Sequence, residues 1–339
     1  MSAVTSGKVA GLGRWLPGLV FSAIAIFLLI RFSNWDELIQ AISLMNLTLL
    51  IPALVLFLIS LGFRALSWRT LLQNRAGFGR VFLTLNEGYL LNIIFPFRLG
   101  ELGRALLMSQ ATDLSGFFVL SSIIIERAYD LAIAAGLLLS TLPFVLGIDM
   151  GQTIALSIMI IVLLGLFMMF MLARNREWIK SKLNDFSQQR FAFRERILPH
   201  IDSLLAGLGA LTKWDQFLLS ILFMVISWLC GGIELYFITT SFGIPVEFWW
   251  IGFVLGVVSL GIALPSAPAG LGIYEVAMVG GFSLLGVPTS VALAIALVAH
   301  LLQITITGSI GVFGIFRDGE SITGLFQRLR NAGYLRGIT

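Results

Sequence analysis

The sequence predicts an all-α polytopic membrane protein with six full transmembrane spans and two oppositely oriented re-entrant helical hairpins, arranged as an inverted repeat. Three observations lead there. The 339 residues are 58% hydrophobic and only 12% charged, with a mean hydropathy of +0.96, a composition of helical membrane proteins rather than of soluble domains. Apolar runs of helical length alternate with connectors of biased charge. Two of those runs are broken by proline and glycine at matching places in the two halves of the chain.

The elements follow in order. Trp15–Ile30 reads as a first span, flanked by Arg14 and Arg31. No small-residue cleavage site follows it, so it is expected to be retained. The connector RFSNWDELIQ carries Asp36 and Glu37, and Leu47–Phe63 is the second span. RALSWRTLLQNRAGFGR then holds Arg64, Arg69, Arg75 and Arg80 and no acid, which places it, and the N-terminus two spans earlier, in the cytoplasm. An apolar run at Val81–Phe97 comes next, then spans at Gly116–Leu146 and Gln152–Leu172. The stretch 174–216 has eight Arg or Lys against five acids, so it too is cytoplasmic; it reads equally as a surface-lying amphipathic helix or as a solvated loop.

Counting sides then constrains the rest. With both flanking loops inside, Val81–Gln110 must enter and leave by the cytoplasmic face as a re-entrant hairpin. Its first arm reaches about 24 Å at ~1.5 Å per residue, short of the roughly 30 Å hydrocarbon core. In the second half, Phe217–Phe242 leads outward and Thr289–Phe316 is the last span. The tail, 317–339, carries Arg317, Arg328, Arg330 and Arg336 against Asp318 and Glu320 and is cytoplasmic. Trp249–Val287 is then a second hairpin of opposite sense. The expected organisation is one membrane domain over 1–339, with repeats at 1–146 and 152–316. The protein is placed in the plasma (inner) membrane with both termini cytoplasmic.

Chemistry concentrates at the breaks. Irregular backbone at bilayer depth persists only where it is buried in protein or lines water. Pro96, Gly100 and Gly103 mark the first break; Pro265, Pro268, Gly270 and Gly272 mark the second. Helix N-termini left at such breaks favour anions, and Arg98 and Arg104 add fixed positive charge suited to phosphate or carboxylate. Glu101 is read as holding an arginine when the site is empty, or as an i, i+3 partner of Arg104. Glu126, Arg127 and Asp130 lie within an apolar run, Glu126 and Asp130 on one helix face. They are candidates for proton or ion coupling together with Glu234 and Glu275, or for a structural ion cluster; one of these acids could instead cap a hairpin helix. His300 with Gln303 reads as a polar pair joining helices. Weak echoes relate the halves: Pro96 to Glu101 matches Pro268 to Glu275, and Glu126 to Asp130 matches His300 to Gln303. Inverted repeats with broken helices are a transporter architecture.

Other chemistries find little support. H-E-x-x-H, G-x-S-x-G, Walker A and dinucleotide-binding patterns do not occur in the sequence. Two histidines and the single Cys230 supply metal chemistry poorly and allow no disulfide within the chain. No metal, no cofactor and no nucleic-acid partner is expected.

At NxxFPFRLGELGR, SxxIxERxxD and LPSAPAGLGxYE, the chain resembles the lysylphosphatidylglycerol synthase transmembrane-region family, the flippase-like integral membrane proteins. The resemblance runs from about the first span to the last. It rests on Asn92, Pro96, Arg98, Gly100, Glu101, Arg104, Glu126, Arg127 and Asp130, and on Pro265, Pro268, Gly270, Gly272 and Glu275. It implies movement of an anionic phospholipid or a polyprenyl-linked lipid between leaflets, with Asn92, Arg98, Glu101, Arg104 and Arg127 at the head group, in a polar cavity between the hairpins. The alternatives are a membrane-embedded transferase acting on a lipid-linked substrate and a non-catalytic subunit that recruits a cytoplasmic lipid-modifying enzyme. Homo-oligomers are compatible with either. No enzymatic activity is expected of the chain itself.

Overall fold

The computed structural model describes residues 22–31, 33–95, 99–146, 149–187, 197–262 and 267–331. Among these, every regular element is helical. Four helical segments are long and apolar enough to cross a bilayer: Leu47–Leu71, Gly116–Val145, Trp214–Ser241 and Thr289–Arg317. A fifth candidate is bent by 69° between Met159–Arg174 and Arg176–Leu183. The chain groups into two compact units, one drawn from 1–57, 83–103 and 232–339, the other from 58–82 and 104–231.

In the first unit, α1 (Ser22–Arg31) leads to α2 (Trp35–Ser43), a helix that begins inside the RFSNWDELIQ connector. Asn34 caps α2, its Oδ1 accepting from the Asp36 and Glu37 N–H groups, and those acids suit the positive end of the helix. Leu38 is buried while Trp35, Ile39 and Ile42 are exposed, the pattern of a helix lying at an interface.

The two broken stretches appear as short helices that pack near their own breaks. Helix α4 (Phe78–Ile94) has 17 residues, about 26 Å long; α5 (Leu99–Ala111) follows. Gly100 lies so close to α4 that a Cβ there would collide with the Gly88 carbonyl oxygen. Helix α11 (Phe248–Ile262) packs along α12 (Ile273–Leu284) across a 3-10 turn at Pro268–Gly270. Pro268 opens that turn, Gly270 and Gly272 take positive φ (74° and 84°), and Ala269 is held at φ 60°. The latter is a left-handed conformation that alanine adopts only when its surroundings impose it. Pro96, Arg98 and Pro265 lie outside the described residues. The long α13 (Thr289–Arg317) follows. Its Gly311 and Gly314 face Asn86, Leu90 and Glu87 of α4 closely enough that no side chain would fit.

The second unit is built around α6 (Gly116–Leu146). It packs against α7 (Asp149–Arg174) and α9 (Leu198–Gly207). The 174–216 stretch is largely helical: α8 (Arg176–Ser187), α9 and a 3-10 turn at Leu208–Thr212, with Leu198, Leu205, Leu208 and Leu211 buried. It is therefore docked structure in its described part. Gly207 lets α9 sit on Ser121 and Phe118 of α6, and His200 stacks on Phe117 at 4.4 Å. Helix α10 (Trp214–Ser241) is tied to α3 (Leu50–Leu71) within this unit by Ser67 Oγ donating to the Ser220 carbonyl, 2.8 Å.

One expectation needs correction here. The second span was expected to end at Phe63, with Arg64 opening a basic loop. Helix α3 instead continues to Leu71. The reason is compensation: Arg64 finds carboxylates, and Trp68 is fully buried with its indole N–H donating to Ser122 Oγ at 3.0 Å. A paired arginine need not leave the helix.

Candidate functional site

Within the second unit, one turn of α6 gathers most of the charge. Glu126 and Asp130, four residues apart, share a helix face. Glu126 is fully buried and accepts from three arginines: Arg104 of α5 (Nη2 to Oε2, 2.7 Å), Arg127 (Nη2 to Oε1, 2.8 Å) and Arg64 of α3 (Nε to Oε1, 3.1 Å). Asp130 takes a second bond from Arg127 at 3.2 Å, a contact from Arg64 Nη2, and the Trp228 indole N–H of α10 at 3.0 Å. The Arg104 guanidinium lies 3.9 Å from the centre of the Trp68 ring, a stacked cation–π arrangement. Three guanidinium groups thus converge on two carboxylates inside apolar helices. Both oxygens of each carboxylate take part, so the donors are shared over four acceptor atoms.

Exposure separates these arginines. Arg104 is 1% exposed, Arg64 15% and Arg127 29% at the side chain. Arg104 is thus sealed in, whereas Arg127 keeps part of its side chain at the surface. The expected Glu101–Arg104 alternative gives way at its basic end: Arg104 is aimed at Glu126. Glu101 sits in the first turn of α5. Asn92, in the first unit, accepts at its Oδ1 from the Gly100 N–H at 2.8 Å, so it closes the start of α5.

In the first unit, Glu275 is buried, and its Oε2 accepts from the Gly272 N–H at 2.6 Å. That contact caps α12 at the second break. Its Oε1 meets His300 Nδ1 of α13 at 2.5 Å, and His300 Nε2 lies 3.0 Å from the Ala269 carbonyl oxygen. Tyr274 stacks on the imidazole at 4.3 Å. Glu234, also buried, lies on α10 within electrostatic reach of Tyr274. Sequence reasoning missed Arg64, Trp68, Trp228 and the His300–Glu275 pair. For Arg64 and Trp68 a signal existed, since both fall on one helical stripe continuing the second span. For His300 the partner acid lies 25 residues earlier, a separation that carries no local pattern.

Long apolar helices enclosing a charged cluster define an integral, polytopic α-helical membrane protein. The sequence profile of the lysylphosphatidylglycerol synthase transmembrane region matches residues 15–311. The chain belongs to that family. It is 25% identical over 326 residues to a UPF0104 membrane protein of Methanothermobacter thermautotrophicus, covering 92% of this chain and 96% of the relative. It is 27% identical over 213 residues to the UPF0104 membrane protein MJ1078 of Methanocaldococcus jannaschii, covering 63% of this chain and 87% of the relative. It is 24% identical over 348 residues to the glycosyltransferase AglD of Haloferax volcanii, covering 87% of this chain but only 53% of that protein.

Proposed function

We propose that this protein moves a lipid with an anionic head group, a phospholipid or a polyprenyl-linked lipid, from one leaflet to the other. The observation that carries the reading is the arginine cluster on Glu126 and Asp130. Holding three guanidinium groups and two carboxylates among apolar helices is costly, and for a fold that needed only stability, apolar packing would serve as well. Arg127 is partly exposed and carries a planar guanidinium of the kind that pairs with phosphate; a head group would compete there with Glu126 and Asp130, which hold its Nη2 and Nη1, and the acyl or prenyl tails would stay in the bilayer. In this reading α4–α5 and α11–α12 are re-entrant hairpins entering from opposite faces, which with six spans makes the inverted repeat. Both termini face the cytoplasm of the plasma membrane. Arg98 and Glu101 approach the head group from the first break, and the lipid is the protein's partner.

The test is reconstitution in liposomes with fluorescent phosphatidylglycerol and, separately, phosphatidylcholine, reading the fraction reached by a membrane-impermeant quencher. Movement of the anionic lipid is expected to fall roughly tenfold or more in Arg127→Gln, from loss of a charge-assisted hydrogen bond. Movement equal to wild type in both Arg127→Gln and Arg64→Gln sinks the reading.

A second reading has one observation in its favour. The AglD relative is named a glycosyltransferase and extends well beyond the matched portion. This chain would then serve as the membrane part of a lipid-modifying enzyme, with Glu126 or Glu101 as base, or as its recruiting subunit. A lipid of altered mass in membranes expressing the protein distinguishes the first of these from translocation.

A further inference from the structure

The second break carries a feature that the arginine cluster does not explain. Both ring nitrogens of His300 face acceptors, a carboxylate oxygen at 2.5 Å and the Ala269 carbonyl oxygen at 3.0 Å. A neutral imidazole has one N–H. If Glu275 were ionised and His300 neutral, one of the two contacts would set acceptor against acceptor. The observed arrangement therefore needs one more proton, held as an imidazolium beside a carboxylate or as a neutral Nε2–H imidazole beside a protonated carboxyl. The pair is 5–6% exposed at the side chains.

We infer that Glu275 and His300 form a proton-binding site that latches the second break, and that the ion this protein binds there is a proton rather than a metal cation. Glu275 has Oε1 turned to His300 and Oε2 turned to the Gly272 N–H, so both oxygens are engaged by nitrogen groups. A hard cation requires several free oxygen ligands. On release of the proton, the remaining N–H stays with the stronger acceptor, the carboxylate at Nδ1. Nε2 then turns a lone pair toward the Ala269 carbonyl. The tether between α13 and the Pro268–Gly270 turn is lost, at the residue whose φ of 60° depends on being held. No bond other than the N–H breaks, and the proton leaves to water.

Other titratable groups on elements packed around His300 are few. Tyr274 lies on its ring face, and Glu234 reaches Tyr274. Asp36 and Glu37 of α2 lie toward the Ser290 end of α13. Glu87 of α4 meets Gly314, about 21 Å further along α13. Arg31 ends α1.

The chain has two histidines, so 15N-histidine NMR of the full-length protein in bilayers reports His300 directly, with His200→Gln assigning the other. The expected result is an Nε2 that bears a proton at low pH and has lost it at high pH, histidine being the side chain whose charge changes nearest neutrality. Hydrogen exchange of the 267–275 amides is the second readout. If one proton leaves per opening, the opened fraction beyond intrinsic exchange rises about tenfold per pH unit, and His300→Asn abolishes that slope. A bare Nε2 at every pH, or no change of state across the range, overturns the inference. Neither measurement requires lipid transport. A protein that titrates here but moves no lipid would sink the translocation reading and leave this site standing.

Discussion

The Glu126 cluster and the Glu275–His300 pair each tie a helix that follows a break to the next helix of the chain, with opposite electrostatic designs. In each, the helix after a break is joined to the helix that follows it: α5 to α6 through Arg104 and Glu126, α12 to α13 through Glu275 and His300. In the first, the shorter helix supplies the cation and the longer one the anion. In the second, the shorter helix supplies the acid and the longer one the base. The first uses arginine, which keeps its proton at any physiological pH; the second uses histidine, the side chain whose charge changes nearest neutrality. The lesson is that joining neighbouring helices by a buried pair can give either a permanently charged joint, where the cation is arginine, or one open to protonation, where it is histidine.

Breaking the first joint should have the larger effect. Glu126→Gln leaves three guanidinium groups around a neutral amide that can accept far less well. Removing one partner of a buried ion pair costs on the order of 3–5 kcal/mol. Thermal unfolding in detergent should show a large drop in melting temperature for this variant. Replacing both members, Arg104→Met with Glu126→Met, should recover much of the loss, because apolar packing substitutes for a buried pair with little net penalty. A double variant as unstable as the single one would mean that the remaining Arg64 and Arg127, rather than the Arg104–Glu126 pair, set the stability.

Glu275→Gln tests the second joint and should cost less, about 1–3 kcal/mol. The amide oxygen can still accept from the Gly272 N–H, and the amide N–H₂ can face an unprotonated Nδ1. What it cannot do is share the proton. The expected outcome is a modest drop in melting temperature together with loss of its pH dependence near neutrality. An effect as large as that of Glu126→Gln would erase the asymmetry between the joints.

Much of this was legible in the sequence, for identifiable reasons. Apolar runs long enough for a helix located α6, α10 and α13 to within a few residues, because period and length are local properties. Gly270 and Gly272 marked the second break, because only glycine takes positive φ freely there. The charged groups were visible too, but their partners were not: Arg104, Arg64 and Trp228 reach α6 from 22 to 98 residues away. Arg64 was assigned to a loop because counting bases sets topology well but says nothing about a base neutralised inside a helix. That Asn92 also closes the N-terminus of α5 is a capping role that spacing across a break does not reveal.

The smallest expected effect supplies a control for the comparison, because it concerns charges that are not sealed in. Asp202 of α9 accepts from Arg176 at 2.8 Å and from Lys180 at 3.4 Å. Partial burial raises the Asp202 pKa, but the hydrogen bond and charge of Arg176, helped by Lys180, outweigh it and hold the carboxyl below its ordinary range. A carboxyl depressed in the folded state stabilises the fold above its unfolded pKa of roughly 3.9. That contribution fades as pH falls through the lower folded value. At neutral pH, Asp202→Asn should therefore cost under about 1 kcal/mol, as expected for half-exposed ion pairs. The cost should shrink toward zero in acid, and added salt should reduce it as well. Melting temperatures at neutral pH in low and high salt check this against Glu126→Gln, whose larger penalty should hardly respond to salt because its charges are buried. Equal salt sensitivity in the two variants would mean that water reaches the Glu126 cluster as freely as it reaches α9, and the contrast between a sealed joint and an open one would no longer hold.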